Sequence, residues 1–231
     1  MNDKSNILVV AAHPDDEVLG CGGTIKRLSS EGHNVYTAIL GEGITSRDGL
    51  NKDEKESKVE QLKEAAKEAG RLLGTEETFM YNLPDNRFDT VPILEIVKRI
   101  ESLITKIRPE IIYTHSGSDL NIDHQLTFRA VLTAARPVPG SSVKTIYVFE
   151  TLSSTEWSFG HISPAFCPDT FINIENQLDA KINALRLYKT EIRQFPHPRS
   201  VEAVQAIAAR HGSNAGLKAA EAFELVRDII I

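Results

Sequence analysis

The stretch VVAAHPDDEVLGCGG, residues 9–23, ends an apolar run with a histidine and three consecutive carboxylates. The charged residues are His13, Asp15, Asp16 and Glu17. Carboxylates crowded at the end of a buried strand lose solvation and repel one another, so they need a positive charge nearby. A divalent cation would supply that charge. A metal site is therefore one interpretation of this stretch.

A second group of polar residues follows a later apolar run, in HSGSDLNIDHQ over residues 115–125. Imidazole and carboxylate are ligands that suit zinc, and a catalytic zinc takes three protein ligands and keeps one position for water. His13, Asp16 and His124 would make such a set. Asp15 would turn away from the metal, where it could act as the general base on that water. The chemistry would then be metal-assisted hydrolysis.

The same residues also have a purely structural interpretation. The acids at 15–17 could cap the helix that follows and stabilise its first turn through the helix dipole. His115 could orient a metal ligand or only finish its strand, and Asp123 could cap a helix or hydrogen-bond to a ligand imidazole. The glycines at 20–23 would suit a dinucleotide-binding loop, but charged residues separate them from the strand, which argues against that function.

Alternating strands and helices must position these residues. Strand-like runs recur at residues 6–12, 34–40, 77–83, 110–115, 144–150 and 170–174. Helical periodicity covers residues 17–31, 52–73, 90–107, 124–136, 175–190, 200–210 and the C-terminal segment AAEAFELVRDII. The alternation predicts an α/β fold, with an open, mostly parallel sheet and helices on both faces. Ligands bind beyond the carboxyl ends of such strands, which is where both polar groups lie.

The composition limits the classes of partner and compartment. The 231 residues favour one domain over 1–231, and 26 basic against 32 acidic residues give a net charge of -6, which argues against a nucleic-acid partner. The first apolar run is too short for a secretory or membrane-spanning segment, so we expect a cytoplasmic protein. Cys21 and Cys167 lie far apart, which suits a reducing compartment and excludes a thiolate metal site.

Several motifs together carry a family resemblance. They are AHPDDE at 12–17, followed by VLGCGGT, and DLNIDH at 119–124, with further matches in EGITSR, LPDNRFD, FETLSSTEW and PHPRS. The set resembles the PIG-L/LmbE-like family of zinc-dependent N-deacetylases over nearly the whole chain. The resemblance implies a Rossmann-like fold and removal of the acetyl group from an N-acetylglucosamine moiety of a larger conjugate. It also implies that His13, Asp16 and His124 bind zinc and that Asp15 is the general base, although Fe²⁺ would accept the same ligands.

One position departs from the family pattern. Members that act on thiol precursors commonly have a histidine three residues before the last zinc ligand, paired with the aspartate that here is Asp123, whereas this chain has Asn121. An asparagine can donate a hydrogen bond to an oxyanion but cannot deliver a proton. We therefore expect protonated Asp15, or else His197, to supply the proton that the leaving amine needs.

Loops around the expected metal site offer candidates for substrate binding. They are Glu42, Arg47, Asn86, Arg87, Asp89, His197 and Arg199. These side chains could bind sugar hydroxyls, and the three arginines could also bind a phosphate, although each could instead belong to a turn or a surface salt bridge. Trp157 could stack on a sugar or pack against the sheet.

Two other functions stay open at this stage. The chain could be an amidase for another acyl amine, or a non-catalytic sugar- or nucleotide-binding module with a structural metal. A structural zinc normally closes its fourth position with protein, which disfavours the module. The amphipathic C-terminal segment could pack internally or against a second copy in a homo-oligomer.

Overall fold

The computed structural model describes residues 4–46, 48–49, 51–162 and 164–230. The strands are β1 (Asn6–Ala11), β2 (Asn34–Gly41), β3 (Glu77–Leu83), β4 (Ile111–His115), β5 (Thr145–Phe149), β6 (Thr170–Asn173) and β7 (Ala220–Arg227). The α-helices are α1 (Asp16–Ser30), α2 (Lys52–Leu73), α3 (Ile93–Ile107), α4 (Ile122–Ala134), α5 (Leu178–Leu187) and α6 (Val201–Asn214). Short 3₁₀ turns cover Phe88–Thr90 and Glu156–Ser158.

The strands form one mixed sheet in the order β3-β2-β1-β4-β5-β7-β6. The first five in this order are parallel, and β7 pairs antiparallel with both β5 and β6. The chain reverses its direction across the sheet between β1 and β4, which are neighbours. Loops that leave the carboxyl ends of two such strands flank a crevice, so the fold itself brings the two polar groups together. The predicted α/β class and mostly parallel sheet are confirmed.

Side chains of β1 alternate between two apolar layers. Ile7, Val9 and Ala11 pack in the layer that holds α1, α2 and α5, while Leu8 and Val10 pack in the layer that holds α3 and α4. A strand buried on both faces needs apolar side chains at every position, which explains the continuous run NILVVAA. The prediction of helices on both faces is confirmed.

The C-terminal segment AAEAFELVRDII was expected to be a helix, and that prediction is wrong, because it contains strand β7. Alanine, glutamate and leucine favour helix locally. The segment instead fills the gap between β5 and β6, where Phe223 is paired with Phe149 on one side and Thr170 on the other. Ladder bonds on both edges outweigh local propensity.

Helix α3 begins three residues later than expected. Asp89, which precedes the expected helix, lies in the 3₁₀ turn, and Pro92 occupies the N-cap position before Ile93. Proline restricts the residue before it to extended backbone, which stops the helix from extending further toward Asp89. In the part of the chain that the structure describes, no helix is both long enough and apolar enough to cross a bilayer.

Helix α1 is interrupted at Cys21, whose φ of −146° and ψ of 25° are not helical. The interruption frees backbone groups that a continuous helix would pair. Lys181 of α5 donates to the Leu19 carbonyl at 2.8 Å, and the Glu221 carboxylate of β7 accepts from the N–H of Gly23 at 2.9 Å and from the next N–H at 2.7 Å. Lys181 and Glu221 are both buried and pair at 2.6 Å. The buried ion pair of Lys181 and Glu221 thus supplies hydrogen-bond partners for the backbone groups that the interruption of α1 leaves unpaired.

Candidate active site

Three side chains meet at the carboxyl edge of the sheet, between the loop after β1 and the start of α4. His13 Nδ1 lies 3.4 Å from Asp16 Oδ2, His124 Nε2 lies 3.3 Å from the same oxygen, and the two imidazole nitrogens are 3.3 Å apart. All three residues are buried. One donor atom from each residue therefore forms a nearly equilateral triangle, which makes the cluster a candidate site for a divalent cation.

Carboxylates behind the triangle fix the orientation of both imidazoles. His13 Nε2 lies 2.9 Å from Asp123 Oδ2 and 3.4 Å from Asp85 Oδ1, which leaves Nδ1 for the triangle. His124 Nδ1 lies 3.1 Å from Asp119 Oδ2, which leaves Nε2 of His124 for the triangle. Carboxylates that accept from the second nitrogen of a ligand histidine hold its tautomer and raise its basicity.

The carboxylates change the pKa of each member of the triangle. Burial lowers the pKa of His124, but the charges of Asp16 and Asp119 outweigh it and raise the value to about 9. Burial likewise opposes the hydrogen bonds to Asp123 and Asp16 that raise the pKa of His13 well above its usual range. Burial would raise the pKa of Asp16. The charge of His124 and the hydrogen bonds from His124 and His13 nevertheless hold the pKa of Asp16 well below its usual value.

Asp119 connects the triangle to the loop after β5. Its carboxylate accepts from the Ser154 hydroxyl, from Thr155 Oγ1 at 2.6 Å and from the Asn121 N–H at 2.8 Å. Burial opposes the charge of His124 and the hydrogen bonds from His124, Ser154 and Thr155, which together lower the pKa of Asp119. Asp119 is therefore a buried carboxylate that links His124 to Asn121 and to the loop after β5.

His115 has a backbone role and is not available as a fourth ligand. Its Nε2 accepts from the Ala12 N–H at 2.8 Å, so its Nδ1 carries the proton that bonds to Thr151 Oγ1 at 3.0 Å. The ring stacks on His124 with centroids 4.0 Å apart. Burial and the neighbouring His124 charge lower the pKa of His115 to about 3. His115 ends its strand and packs against the His124 ring, and a role in orienting a metal ligand stays a prediction.

Asp15 stands beside the triangle in an unusual backbone conformation, with φ of 105° and ψ of −28°. Its Oδ2 accepts from Arg199 Nη1 at 3.1 Å, and the same nitrogen lies 3.3 Å from Glu191 Oε2. Burial and the charge of Asp16 raise the pKa of Asp15 well above its usual range, while Arg199 opposes the shift. Asp15 is therefore a carboxylate that can take up a proton.

Glu17, the third acid of the opening motif, points behind Asp15. Its Oε2 accepts from the Asp15 N–H at 3.2 Å, and its Oε1 accepts from the Tyr188 hydroxyl. Burial raises the pKa of Glu17 to about 7, against the opposing effect of the Tyr188 hydrogen bond. The acids at 15–17 therefore have three different environments, and a shared helix-capping role does not describe them, since Asp15 makes no side-chain cap.

A cleft of about 200 Å³ opens over the triangle. Among the residues proposed from the sequence, it is lined by His13, Asp15, Asp16, Asn86, Asn121, His124 and Arg199. Asn121 Oδ1 caps α4 by accepting from the Asp123 N–H at 2.8 Å, and its Nδ2 donates to Asn86 Oδ1 at 2.9 Å. Since that NH₂ group has two hydrogens, one is left for a ligand in the cleft.

Four other proposed substrate-binding residues lie away from the cleft lining, namely Glu42, Arg87, Asp89 and His197. Glu42 lines a separate groove beside α2, Arg87 and Asp89 are exposed, and Arg47 is outside the described residues. His197 packs edge-to-face against Trp157 with centroids 5.8 Å apart, and its Nδ1 accepts from the Arg199 N–H. Arg199 itself pairs with two carboxylates, so its position favours action on Asp15 over phosphate binding.

The structure adds residues that the sequence motifs did not assign. They are Asp85, Asp119, Ser154, Thr155, Tyr188 and Glu191. Asp85 and Asp119 follow the carboxyl ends of β3 and β4, so the same rule that singled out His13 could have found them. Tyr188 and Glu191 lie after α5, and nothing in their local sequence connects them to this edge of the sheet.

The fold and the site together define the class of protein. It is a doubly wound α/β protein with a buried cluster of two histidines and one aspartate at the carboxyl ends of the strands. The chain belongs to the PIG-L family, because the family model described as GlcNAc-PI de-N-acetylase matches residues 8–135. Its relatives are named as deacetylases, and metal dependence is typical of the family. The chain is accordingly an enzyme of the N-deacetylase class.

Two curated relatives match most of the chain. The uncharacterized deacetylase YaiS of Escherichia coli is 28% identical over 195 residues, which are 82% of this chain and 93% of the relative. The probable N-acetyl-alpha-D-glucosaminyl L-malate deacetylase 2 of Bacillus cereus is 26% identical over 191 residues, 81% of this chain and 84% of the relative.

Solved structures show the same fold. The N,N'-diacetylchitobiose deacetylase of Pyrococcus horikoshii has a TM-score of 0.78 at 20% identity, covering 97% of this chain and 85% of its own. The 4-carboxy-2-hydroxymuconate hydratase GalB of Pseudomonas putida also has a TM-score of 0.78 at 20% identity, with 98% of both chains covered. The fold alone thus supports more than one reaction, and the reaction has to be argued from the site.

Proposed function

We propose that this protein is a zinc-dependent hydrolase that removes the N-acetyl group from an N-acetylglucosamine-type sugar conjugate, with Asp15 as the general base. The observation that carries the proposal is the triangle of His13, Asp16 and His124 donors with Asp15 beside it in the same cleft. Deacetylases of N-acetylglucosamine derivatives among the relatives supply the substrate class.

The triangle fits zinc in donor chemistry and in size. Two imidazole nitrogens and one carboxylate oxygen are a common donor set for catalytic zinc. Tetrahedral zinc with bonds of about 2.0–2.1 Å needs donor atoms about 3.3–3.4 Å apart, and the three measured separations are 3.3, 3.3 and 3.4 Å. Fe²⁺ accepts the same donors, so the loaded ion has to be measured.

The cleft assigns a separate task to each side chain. Zinc, when bound by the triangle, supplies Lewis-acid polarisation of an amide carbonyl and lowers the pKa of water toward ~7. Asp15 takes the proton of the attacking water and returns it to the leaving amine. Arg199 keeps the Asp15 carboxylate in place. The second hydrogen of Asn121 Nδ2 is available to the oxyanion.

The size of the cleft favours one end of a larger substrate. Pockets that enclose drug-sized ligands have volumes of roughly 300–1,000 Å³, and this cleft has about 200 Å³. An acetamido group with its sugar ring would fill it, and the rest of a conjugate would extend over the rim. Asn86 and Ser46, which hydrogen-bond to each other at 3.1 Å on that rim, are suited to sugar hydroxyls.

A structural metal without turnover is less compatible with the site. Such a site would close the fourth position with protein. The nearest further imidazole, His115, uses its Nε2 to bind the Ala12 N–H. The arrangement of three donors with the Asp15 carboxylate beside them therefore supports catalysis. A cytoplasmic location and a single domain over 1–231 stay predictions from the sequence.

Release of primary amine from a panel of acetylated conjugates tests the proposal. The panel contains free N-acetylglucosamine, nucleotide-linked and lipid-linked forms, and acyl amines without a sugar. Three forms of the zinc-loaded protein are compared, namely wild type, Asp15→Asn, and Asp53→Asn, which changes an exposed aspartate of α2 in the same way. Bound metal is quantified for each.

We expect turnover of an acetylated sugar by wild type and by Asp53→Asn, and loss of at least ~10²-fold in Asp15→Asn with zinc retained. Activity only toward acyl amines without a sugar would replace the substrate class. Full turnover by Asp15→Asn would refute the assigned base, and no turnover of any panel member by zinc-loaded wild type would refute the deacetylase proposal.

A further inference from the structure

The backbone at Asp15 needs an external restraint. A non-glycine residue with φ of 105° lies outside the favoured regions, which costs free energy. Such a conformation persists only where the surrounding contacts impose it. The Asp15 side chain makes no hydrogen bond to the backbone of α1. The restraint must therefore come from the contacts of its main chain and from the groups behind it.

Glu17 makes one of the restraining contacts, beside the Val18 and Leu19 N–H groups that donate to the Asp15 carbonyl at 3.0 and 2.9 Å. Its Oε2 accepts from the Asp15 N–H at 3.2 Å, which fixes the peptide plane in front of Asp15. The Glu17 side chain is buried, so it cannot rely on water to hold its orientation. Its other oxygen accepts from the Tyr188 hydroxyl, which comes from a point 171 residues later in the chain. The two oxygens thus connect Asp15 with Tyr188 through one carboxylate.

Tyr188 is itself rigidly placed. It is the C-cap residue of α5 and is fully buried, so its ring cannot move without disturbing the core. Helix α5 contacts the first turn of α1 at a second point, because Lys181 donates to the Leu19 carbonyl at 2.8 Å. The first turn of α1, which starts directly after Asp15, is therefore held by α5 at both of its ends.

We propose that Tyr188 is a positioning residue for the general base, and that it acts through Glu17 to hold Asp15 in its left-handed conformation with the carboxylate directed into the cleft. This inference rests on the proposed function. Tyr188 touches no ligand of the triangle and does not line the cleft. Its effect would therefore fall on the chemical step and leave substrate binding and metal affinity nearly unchanged.

Tyr188→Phe tests the inference, with Tyr147→Phe as the matched control. Both variants lose one phenolic hydroxyl, and Tyr147 lies half-buried on β5, where its ring stacks on Tyr113. Steady-state kinetics on the panel member that wild type turns over, zinc content, thermal midpoint and a crystal structure are measured for each. We expect Tyr188→Phe to lower kcat about tenfold or more, because it removes the hydrogen bond that holds the buried Glu17 carboxyl group in place.

The expected KM stays within about twofold of wild type, since a group that acts only on the chemical step changes kcat and kcat/KM together. The crystal structure of Tyr188→Phe should show Asp15 relaxed to a negative φ. Glu17→Gln is the second variant, and adding Tyr188→Phe to it should cause little further loss, because both changes break the same connection.

The outcomes separate this inference from the proposed function. If zinc-loaded wild type turned over no member of the panel, both the proposed function and the inference about Tyr188 would be overturned. An active wild type whose Tyr188→Phe variant keeps its kcat and its Asp15 conformation would overturn the inference alone, even if the thermal midpoint fell. Independent, multiplicative losses from Glu17→Gln and Tyr188→Phe would also overturn it, since Tyr188 would then not act through Glu17.

Discussion

The buried pair of Lys181 and Glu221 allows a stability prediction that is independent of function. Lys181→Met keeps the length and apolar stem of the side chain but removes the ammonium group. Two contacts are lost, one to the Leu19 carbonyl at 2.8 Å and one to Glu221 Oε1 at 2.6 Å. The Glu221 charge stays buried with only backbone N–H donors, and the Leu19 carbonyl loses its partner.

Breaking a buried ion pair by removing one partner costs about 3–5 kcal/mol. We expect Lys181→Met to lower the free energy of unfolding by that amount, a large part of the roughly 5–15 kcal/mol typical of a folded domain. Equilibrium unfolding in urea measures it. Adding Glu221→Gln to Lys181→Met should recover part of the loss, because the double variant leaves no unpaired charge in the core.

Lys218→Met provides the matched control for this measurement. Lys218 also pairs with a glutamate, Glu175, but its side chain is 82% exposed. Water screens that pair, so the control should unfold within experimental error of wild type. A loss below about 1 kcal/mol for Lys181→Met, or equal losses for the two lysine variants, would refute the argument that burial makes the Lys181 pair essential to α1.

Three further predictions concern the site and its supports. Asp119→Asn should weaken zinc binding by about 10–100-fold, because the neutral amide no longer matches His124 Nδ1, and competition with a chelator would reveal it. Gly20→Ala should cost about 1–3 kcal/mol, since the new Cβ would lie 2.2 Å from Phe149, and adding Phe149→Leu should recover part of the loss in urea unfolding. Asn121→Ala should lower stability by about 1 kcal/mol through the lost cap of α4, and an unchanged thermal midpoint would contradict that role.

Local patterns in the sequence predict the parallel part of the fold well. Continuous apolar runs identify strands buried on both faces, and the helix periodicity between them requires parallel connections. The rule that ligands bind at the strand ends then selects the loops that carry His13 and His124, which the structure brings within 3.3 Å of each other. These inferences succeed because each polar loop directly follows its strand in the sequence, although His13 and His124 are themselves 111 residues apart.

Features that depend on partners distant in the sequence cannot be predicted from local sequence patterns. The segment that forms β7 has the composition of a helix, and only its position between β5 and β6 makes it a strand. Glu191 and Tyr188 reach the base through Arg199 and Glu17, across separations that no local pattern encodes. Arg199 was proposed as a substrate-binding residue for the same reason, because Asp15, its carboxylate partner in the cleft, lies 184 residues away in the sequence.

Strand β7 also constrains the order in which the molecule can form. Glu221 binds the N–H of Gly23 across a separation of 198 residues, and β6 has its ladder partner in β7 alone within the described part of the chain. Contacts of such long range form slowly because a large loop must close first. During synthesis on a ribosome, almost the whole described chain would therefore have to emerge before Glu221 could pair with the backbone N–H groups at the interruption of α1. Catalytic competence would be acquired late and all at once.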